Sequence, residues 1–147
     1  MLEMEKHYFY MQMALREAMA AAEKGEVPVG AVIISADQVV AKTHNLTEQL
    51  TDVTAHAEMQ AITAASHHLG SKYLSKCQLY VTLEPCTMCA GALYWSQIGE
   101  VNFAAADPKR GFKSNGGQLH PKTILNEGLL ADEAKNVIQT FFQSKRN

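Results

Sequence analysis

No apolar run in the sequence approaches the ~20 residues that cross a bilayer, so a membrane-spanning helix is not expected. The opening Met1-Leu2-Glu3-Met4-Glu5-Lys6 is acidic and has no apolar core, unlike a secretory signal. A cytoplasmic location is therefore expected. Cysteine is scarce: three residues in such a chain argue against a disulfide framework and towards metal or catalytic use. No repeat, low-complexity tract or Pro/Gly/Ser-rich linker divides the chain, which predicts one domain over residues 1–147. A strong positive charge is also missing. The formal net charge of −2 excludes a global field for nucleic acid. It is unevenly spread, however: residues 1–106 hold six Lys/Arg against eleven Asp/Glu, residues 107–147 seven against four. That tilt permits a local polyanion contact towards the C-terminus, or only a solvated helical tail.

What is present reads as alternating helices and strands. Met4–Lys24 repeats small and apolar residues at helical spacing and stops at Gly25. Val29–Ser35 reads as a strand, Ala36-Asp37 as a turn and Val39–Thr43 as its hairpin partner. After a polar loop from Asn45 to Thr54, Ala55–His68 reads as a helix ending at Gly70. Gln78–Leu83 is a strand, Met88–Ser96 a buried helix and Val101–Ala105 another strand. A loop over Asp107–Pro121 precedes a terminal helix, Asp132–Gln143, with Val137, Ile138, Phe141 and Phe142 on its apolar side. Alternation predicts an α/β layered fold, and the hairpin makes its sheet mixed.

Two short segments carry the chemistry, His56-Ala57-Glu58 and Pro85-Cys86-Thr87-Met88-Cys89. Zinc favours thiolate and imidazole donors, and a catalytic site uses three protein ligands with one position left for water. Cys86 and Cys89, spaced Cys-x-x-Cys at a helix start, can face one ion, and a helix N-terminus favours thiolate. His56, at the start of a different helix, is the expected third ligand. Glu58 lies on the same helical entrance as His56, directed at the open position, where it can move protons. The expected chemistry is hydrolytic, without a redox cofactor. A closed structural site with Cys77 as fourth ligand is opposed by distance, because the strand from Cys77 to Leu83 spans roughly 20 Å. A redox Cys-x-x-Cys would leave His56 and Glu58 idle.

His-Ala-Glu followed by Pro-Cys-x-x-Cys resembles the cytidine-deaminase superfamily, whose zinc nucleobase deaminases carry that signature. Within it the chain is most similar to the bacterial tRNA-specific adenosine deaminase family. The residues that carry the likeness are Glu26-Val-Pro-Val-Gly-Ala-Val32, Thr54-Ala-His-Ala-Glu58 and Thr82-Leu-Glu-Pro-Cys-Thr-Met-Cys-Ala-Gly-Ala92. Asn45, Asp107 in Ala106-Asp107-Pro108-Lys109, and Glu127–Glu133 with Phe141-Phe142 extend it. The resemblance implies the cytidine-deaminase-like three-layer fold, with a mixed five-stranded sheet flanked by helices. It also implies one Zn2+ per subunit, a homodimer, and conversion of adenosine to inosine at the wobble position of a tRNA anticodon loop. Asn45, Ala55, Asp107 and Phe142 become the implied substrate contacts, and the Cys86 N–H an implied donor to the reacting oxygen. Lys109, Arg110 and Lys113 are candidate phosphate contacts. Glu84 is expected to hold nearby backbone.

Two segments depart from that family. Lys109-Arg-Gly-Phe-Lys-Ser-Asn-Gly-Gly117 stands where the family has a small-residue stretch, and Ala92-Leu-Tyr-Trp-Ser96 is similar to the aromatic helix of guanine deaminases. Hydrolysis of a free base or nucleoside, guanine or cytosine among them, therefore stands as an alternative. A non-catalytic zinc-binding module is a third reading, which Glu58 opposes.

Overall fold

The computed structural model describes residues 2–146. Among these the chain forms helices α1 (Glu3–Glu23), α2 (Ala57–Leu69), α3 (Thr87–Ser96) and α4 (Ala131–Arg146). Its strands are β1 (Gly30–Ser35), β2 (Gln38–His44), β3 (Cys77–Leu83), β4 (Glu100–Ala105) and β5 (Ile124–Glu127). They make one sheet of order β2-β1-β3-β4-β5, with β1 antiparallel to both neighbours and β3, β4 and β5 parallel. Helices α1 and α4 cover one face, while α2 and α3 cover the other. This is the expected three-layer α/β arrangement.

Burial on both faces explains why β1, β3 and β4 read as nearly continuous apolar runs. Alternate side chains serve opposite layers. Ala31, Ile33, Leu79, Val81, Val101 and Phe103 pack under α2 and α3 with Ala61, Ala65 and Leu93. Val32, Ile34, Tyr80 and Ala104 meet Met11, Ala14 and Leu15 of α1 and Ala134 of α4. The alanine-rich face of α1 brings its backbone onto β1 at Gly30. A Cβ there would collide with the Ala14 carbonyl oxygen and lie 2.6 Å from the Ala18 nitrogen, so only glycine fits beneath the helix. Among the described residues, no helix is long and apolar enough to cross a membrane.

The structure moves several sequence boundaries by one to three residues. His56 is the N-cap of α2, with extended backbone, so the helix begins two residues after Ala55. Helix α4 runs on to Arg146, past Gln143, since its last turn is polar and exposed and carries no apolar pattern. Strand β5, which periodicity alone does not reveal, has only four residues and an exposed edge.

Topology gathers the site. Because β1 runs against β2 and β3, its first residue Gly30 pairs with His44, the last of β2. At the same end Leu83 closes β3 beside Ala105 of β4. The segments around Val27, Asn45, Cys86 and Asp107 thus converge beyond one edge of the sheet, where parallel strands end. Cys77 pairs with Ser35 at the opposite end and is buried.

Candidate metal centre and its cleft

His56 and Cys86 occupy equivalent places: each is the N-cap of its helix, and neither side chain caps the helix it precedes. Both side chains are therefore free to point past the helix ends, and Cys89, one turn into α3, joins them. The Nδ1 atom of His56 lies 3.7 Å from Cys86 Sγ and 3.5 Å from Cys89 Sγ. All three donor atoms lie within 4.8 Å of one another. Zn–N bonds of ~2.0–2.1 Å and Zn–S bonds of ~2.3 Å at tetrahedral angles require N···S edges of about 3.6 Å. The donor set fits zinc in both chemistry and spacing. Cys77 lies outside this group.

The electrostatics of the triad are those of preorganised ligands. Cys86 is pushed down to about 3, first by a hydrogen bond from Cys89 and then by one from His56, against the cost of burial. Cys89 is pushed up by the same hydrogen bond to Cys86, and further by burial and the nearby Glu58. The two sulfurs thus share one proton, held on Cys89. His56 is raised, chiefly by its hydrogen bond with Cys86. Glu58, on the first turn of α2, is buried, and burial lifts its carboxyl to about 7. A carboxyl that titrates near neutrality can both accept and return a proton at working pH.

His56, Glu58 and Cys86 line a cleft of about 1050 Å³, with Cys89 buried behind them. Val27, Val29, Asn45 and Thr47 line one side; Ala106, Asp107, Pro108, Lys109 and Arg110 line another. Ile138, Phe142 and Arg146 of α4 also line it. Of the expected substrate contacts, Asn45, Asp107 and Phe142 are among the lining residues. Asn45 is buried, with its Nδ2 donating to the Val27 carbonyl at 3.3 Å and its Oδ1 accepting from Thr47 N–H at 3.3 Å. Each end of that amide keeps one further bonding position. Phe141 and Phe142 divide as adjacent helical positions must: Phe141 is buried, and Phe142 is 43% exposed at the cleft.

Ala55 is buried and is not among the residues lining the cleft; its carbonyl oxygen accepts from Leu46 N–H and Gln60 Nε2. Lys113 also points elsewhere, pairing with Glu127 at 2.7 Å. The aromatic segment of α3 does not face the cleft either: Tyr94 stacks near His120, and Trp95 is 78% exposed.

Sequence reasoning missed Glu26, which is fully buried. Its two carboxylate oxygens accept the Glu48 and Gln49 N–H groups at 3.0 and 2.7 Å, fixing the loop that follows Asn45. A lone glutamate before an apolar strand gives no hint of this, because its partners are backbone atoms more than twenty residues away. Lys135 and Arg146 of α4 also line the cleft, adding to Lys109 and Arg110 on a rim whose exposed acid is Asp132.

Comparison with known proteins bears directly on this centre. Residues 4–105 match the family model for the cytidine and deoxycytidylate deaminase zinc-binding region. A tRNA-specific adenosine deaminase of Aquifex aeolicus (strain VF5) is 46% identical, with 98% of each chain covered. A solved structure from studies of A-to-I editing by tRNA:A34 deaminases at the wobble position superposes with a TM-score of 0.80 at 39% identity. That match covers 88% of this chain and 98% of the other. A guanine deaminase from Bacillus subtilis matches less fully, with a TM-score of 0.64 at 34% identity over 74% of this chain and 66% of its own.

Proposed function

The chain belongs to the family of the cytidine and deoxycytidylate deaminase zinc-binding region, and from that premise we propose that it converts adenosine to inosine at the wobble position of a tRNA anticodon loop. The observation that carries the substrate class is the cleft. At about 1050 Å³ it stands at the upper end of the ~300–1,000 Å³ range of small-molecule pockets. One base over the metal centre leaves room for its neighbours, and four cations line the rim. An anticodon loop presents splayed bases, so the target need not be drawn from a duplex.

His56, Cys86 and Cys89 are the proposed ligands of one zinc ion per subunit. Bound there, zinc would supply an activated water, with a pKa lowered from 15.7 to about 7. Glu58 would carry both protons of the attacking water on its carboxylate, passing the first to the ring nitrogen and the second, from the added hydroxyl, to the amino group, which leaves as ammonia. Asn45 hydrogen-bonds the edge of the base. The backbone N–H of Cys86 faces the oxygen being added. Asp107 and Phe142 meet the flanking nucleotides, with Lys109 and Arg110 near phosphate. One domain, a homodimer and a cytoplasmic location complete the proposal.

The free-base alternative loses one of its two sequence arguments, since Tyr94 and Trp95 stand away from the cleft, and keeps the other, the Lys109–Gly117 segment, whose Lys109 and Arg110 line it. The deciding experiment measures ammonia release and base conversion by the zinc-loaded protein. Its panel contains an anticodon stem-loop with wobble adenosine, free guanine, cytosine, adenosine and cytidine. Inosine formed only in the stem-loop is the expected result. Turnover of a free base with an untouched stem-loop would overturn the substrate assignment.

A further inference from the structure

Glu84 directly follows β3 and precedes the Pro85-Cys86 step into α3, yet its side chain is spent on another part of the chain. Its buried carboxylate accepts the Asp107 N–H on Oε1 and the Lys113 N–H on Oε2, both at 3.0 Å. Between these anchors the chain folds across the carboxylate at Gly111. A Cβ there would collide with the Glu84 carboxyl and lie 2.6 Å from the Asp107 carbonyl oxygen. The turn is closed from within: Asp107 Oδ1 accepts from Lys109 and Arg110 N–H, and Gly111 N–H donates to the Asp107 carbonyl. Phe112 N–H donates to the Pro85 carbonyl at 2.9 Å, and Cys86 pairs with Gly111 as an isolated antiparallel bridge.

One carboxylate therefore holds both ends of a seven-residue segment, and that carboxylate is two residues from a metal-ligating position. Hydrogen bonds from amides to a buried carboxylate are among the stronger ones, and leaving such a charge unmet is costly. The segment cannot shift without breaking contacts to the same strand end that carries Cys86. Its outer side supplies Asp107, Pro108, Lys109 and Arg110 to the cleft.

We propose that Glu84 is a positioning residue that registers the Asp107–Arg110 wall of the cleft to the metal centre, and so sets how the nucleotides beside the reacting base are held. This rests on the tRNA reading above. Glu84 touches neither base nor reacting water in this role. Its loss weakens binding of the extended substrate and spares the chemical step.

The test uses the full zinc-loaded chain with Glu84→Gln and, from the loop side, Gly111→Ala. Glutamine keeps the size of the side chain but turns an NH2 towards one of the two amides. Expected are unchanged zinc content and faster hydrogen exchange at the Asp107 and Lys113 amides. The stem-loop KM should rise about tenfold, with kcat within about twofold, as for an interaction that acts on binding alone. The double variant should fall short of the sum of the single effects, because both break one contact. Should Glu84→Gln fail to fold, Gly111→Ala tests the same contact with the carboxylate present. A lower kcat at unchanged KM, or zinc loss, would overturn the proposal, as would amides as protected as in the parent. If the parent chain ignores the stem-loop, the tRNA reading fails by itself. The exchange measurement then still decides whether Glu84 braces the wall.

Discussion

The two walls of the cleft hang on the same device, a buried glutamate facing backbone N–H groups, but the grips differ. Glu26 takes the amides of consecutive residues, Glu48 and Gln49. It pins one point, and the remainder of that loop, with Leu50 and Val53 exposed, relies on local turns such as Asp52 with Thr54. Glu84 takes amides six residues apart, so it closes a segment at both ends. The first grip comes from the connection after α1, remote in sequence from any metal-ligating position. The second comes from the strand end that carries Cys86. A single chemical contact thus yields either a tether or a brace, and spacing along the chain decides which.

The largest effects should ignore the walls altogether. Cys86→Ala is expected to lose zinc and turnover together, read by metal analysis and ammonia release. Glu58→Gln should retain zinc and lose about 10²–10⁴-fold in kcat, the usual span for a general acid–base. Unchanged turnover in Glu58→Gln would remove the proposed mechanism and leave both walls without a purpose.

Next comes the tether. Glu26→Ala removes the shared acceptor of two part-buried amides and should cost about 1–3 kcal/mol in urea unfolding. Exchange should quicken at Glu48 and Gln49 and not at Asp107 or Lys113. Equal quickening in both loops would show that the walls are not separately held.

A third measurement probes the centre beside the brace. In chelator-treated protein, Cys86 should be alkylated at a rate nearly flat from about pH 5 to about pH 8. Its thiol, held near 3 by the Cys89 hydrogen bond, is already ionised throughout that range, so raising the pH adds no thiolate. An ordinary thiol, near 9.0, would gain about tenfold per pH unit. Such a tenfold slope at Cys86 would refute the shared-proton description. Smallest of all, Lys113→Met should leave the unfolding midpoint unmoved. Its pair with Glu127 is solvent-exposed, while its backbone N–H still reaches Glu84.

Much of this could be read from the sequence, for identifiable reasons. Strands buried on both faces announce themselves as apolar runs, and glycines 25 and 70 stop their helices with positive φ. The candidate metal-ligating positions are legible because two short motifs concentrate rare donor types. Strand β5 was not legible from periodicity, since Ile124–Glu127 is four residues long and mostly exposed. Glu26 was hidden because a side chain that serves distant backbone leaves no pattern. Ala55 shows the converse: the resemblance implied a contact with substrate, whereas the turn into α2 leaves it buried and outside the cleft lining.

The sheet's margins bear on how copies of this chain can meet. At one rim, β2 carries Lys42 outward and pairs with β1 through a register shift at Ile33/Ile34. At the other, β5 offers four residues. A charged, irregular rim and a stunted one both discourage strand-to-strand docking and the open-ended fibres it can seed. Contacts between copies of this chain through the sheet margins are thereby disfavoured.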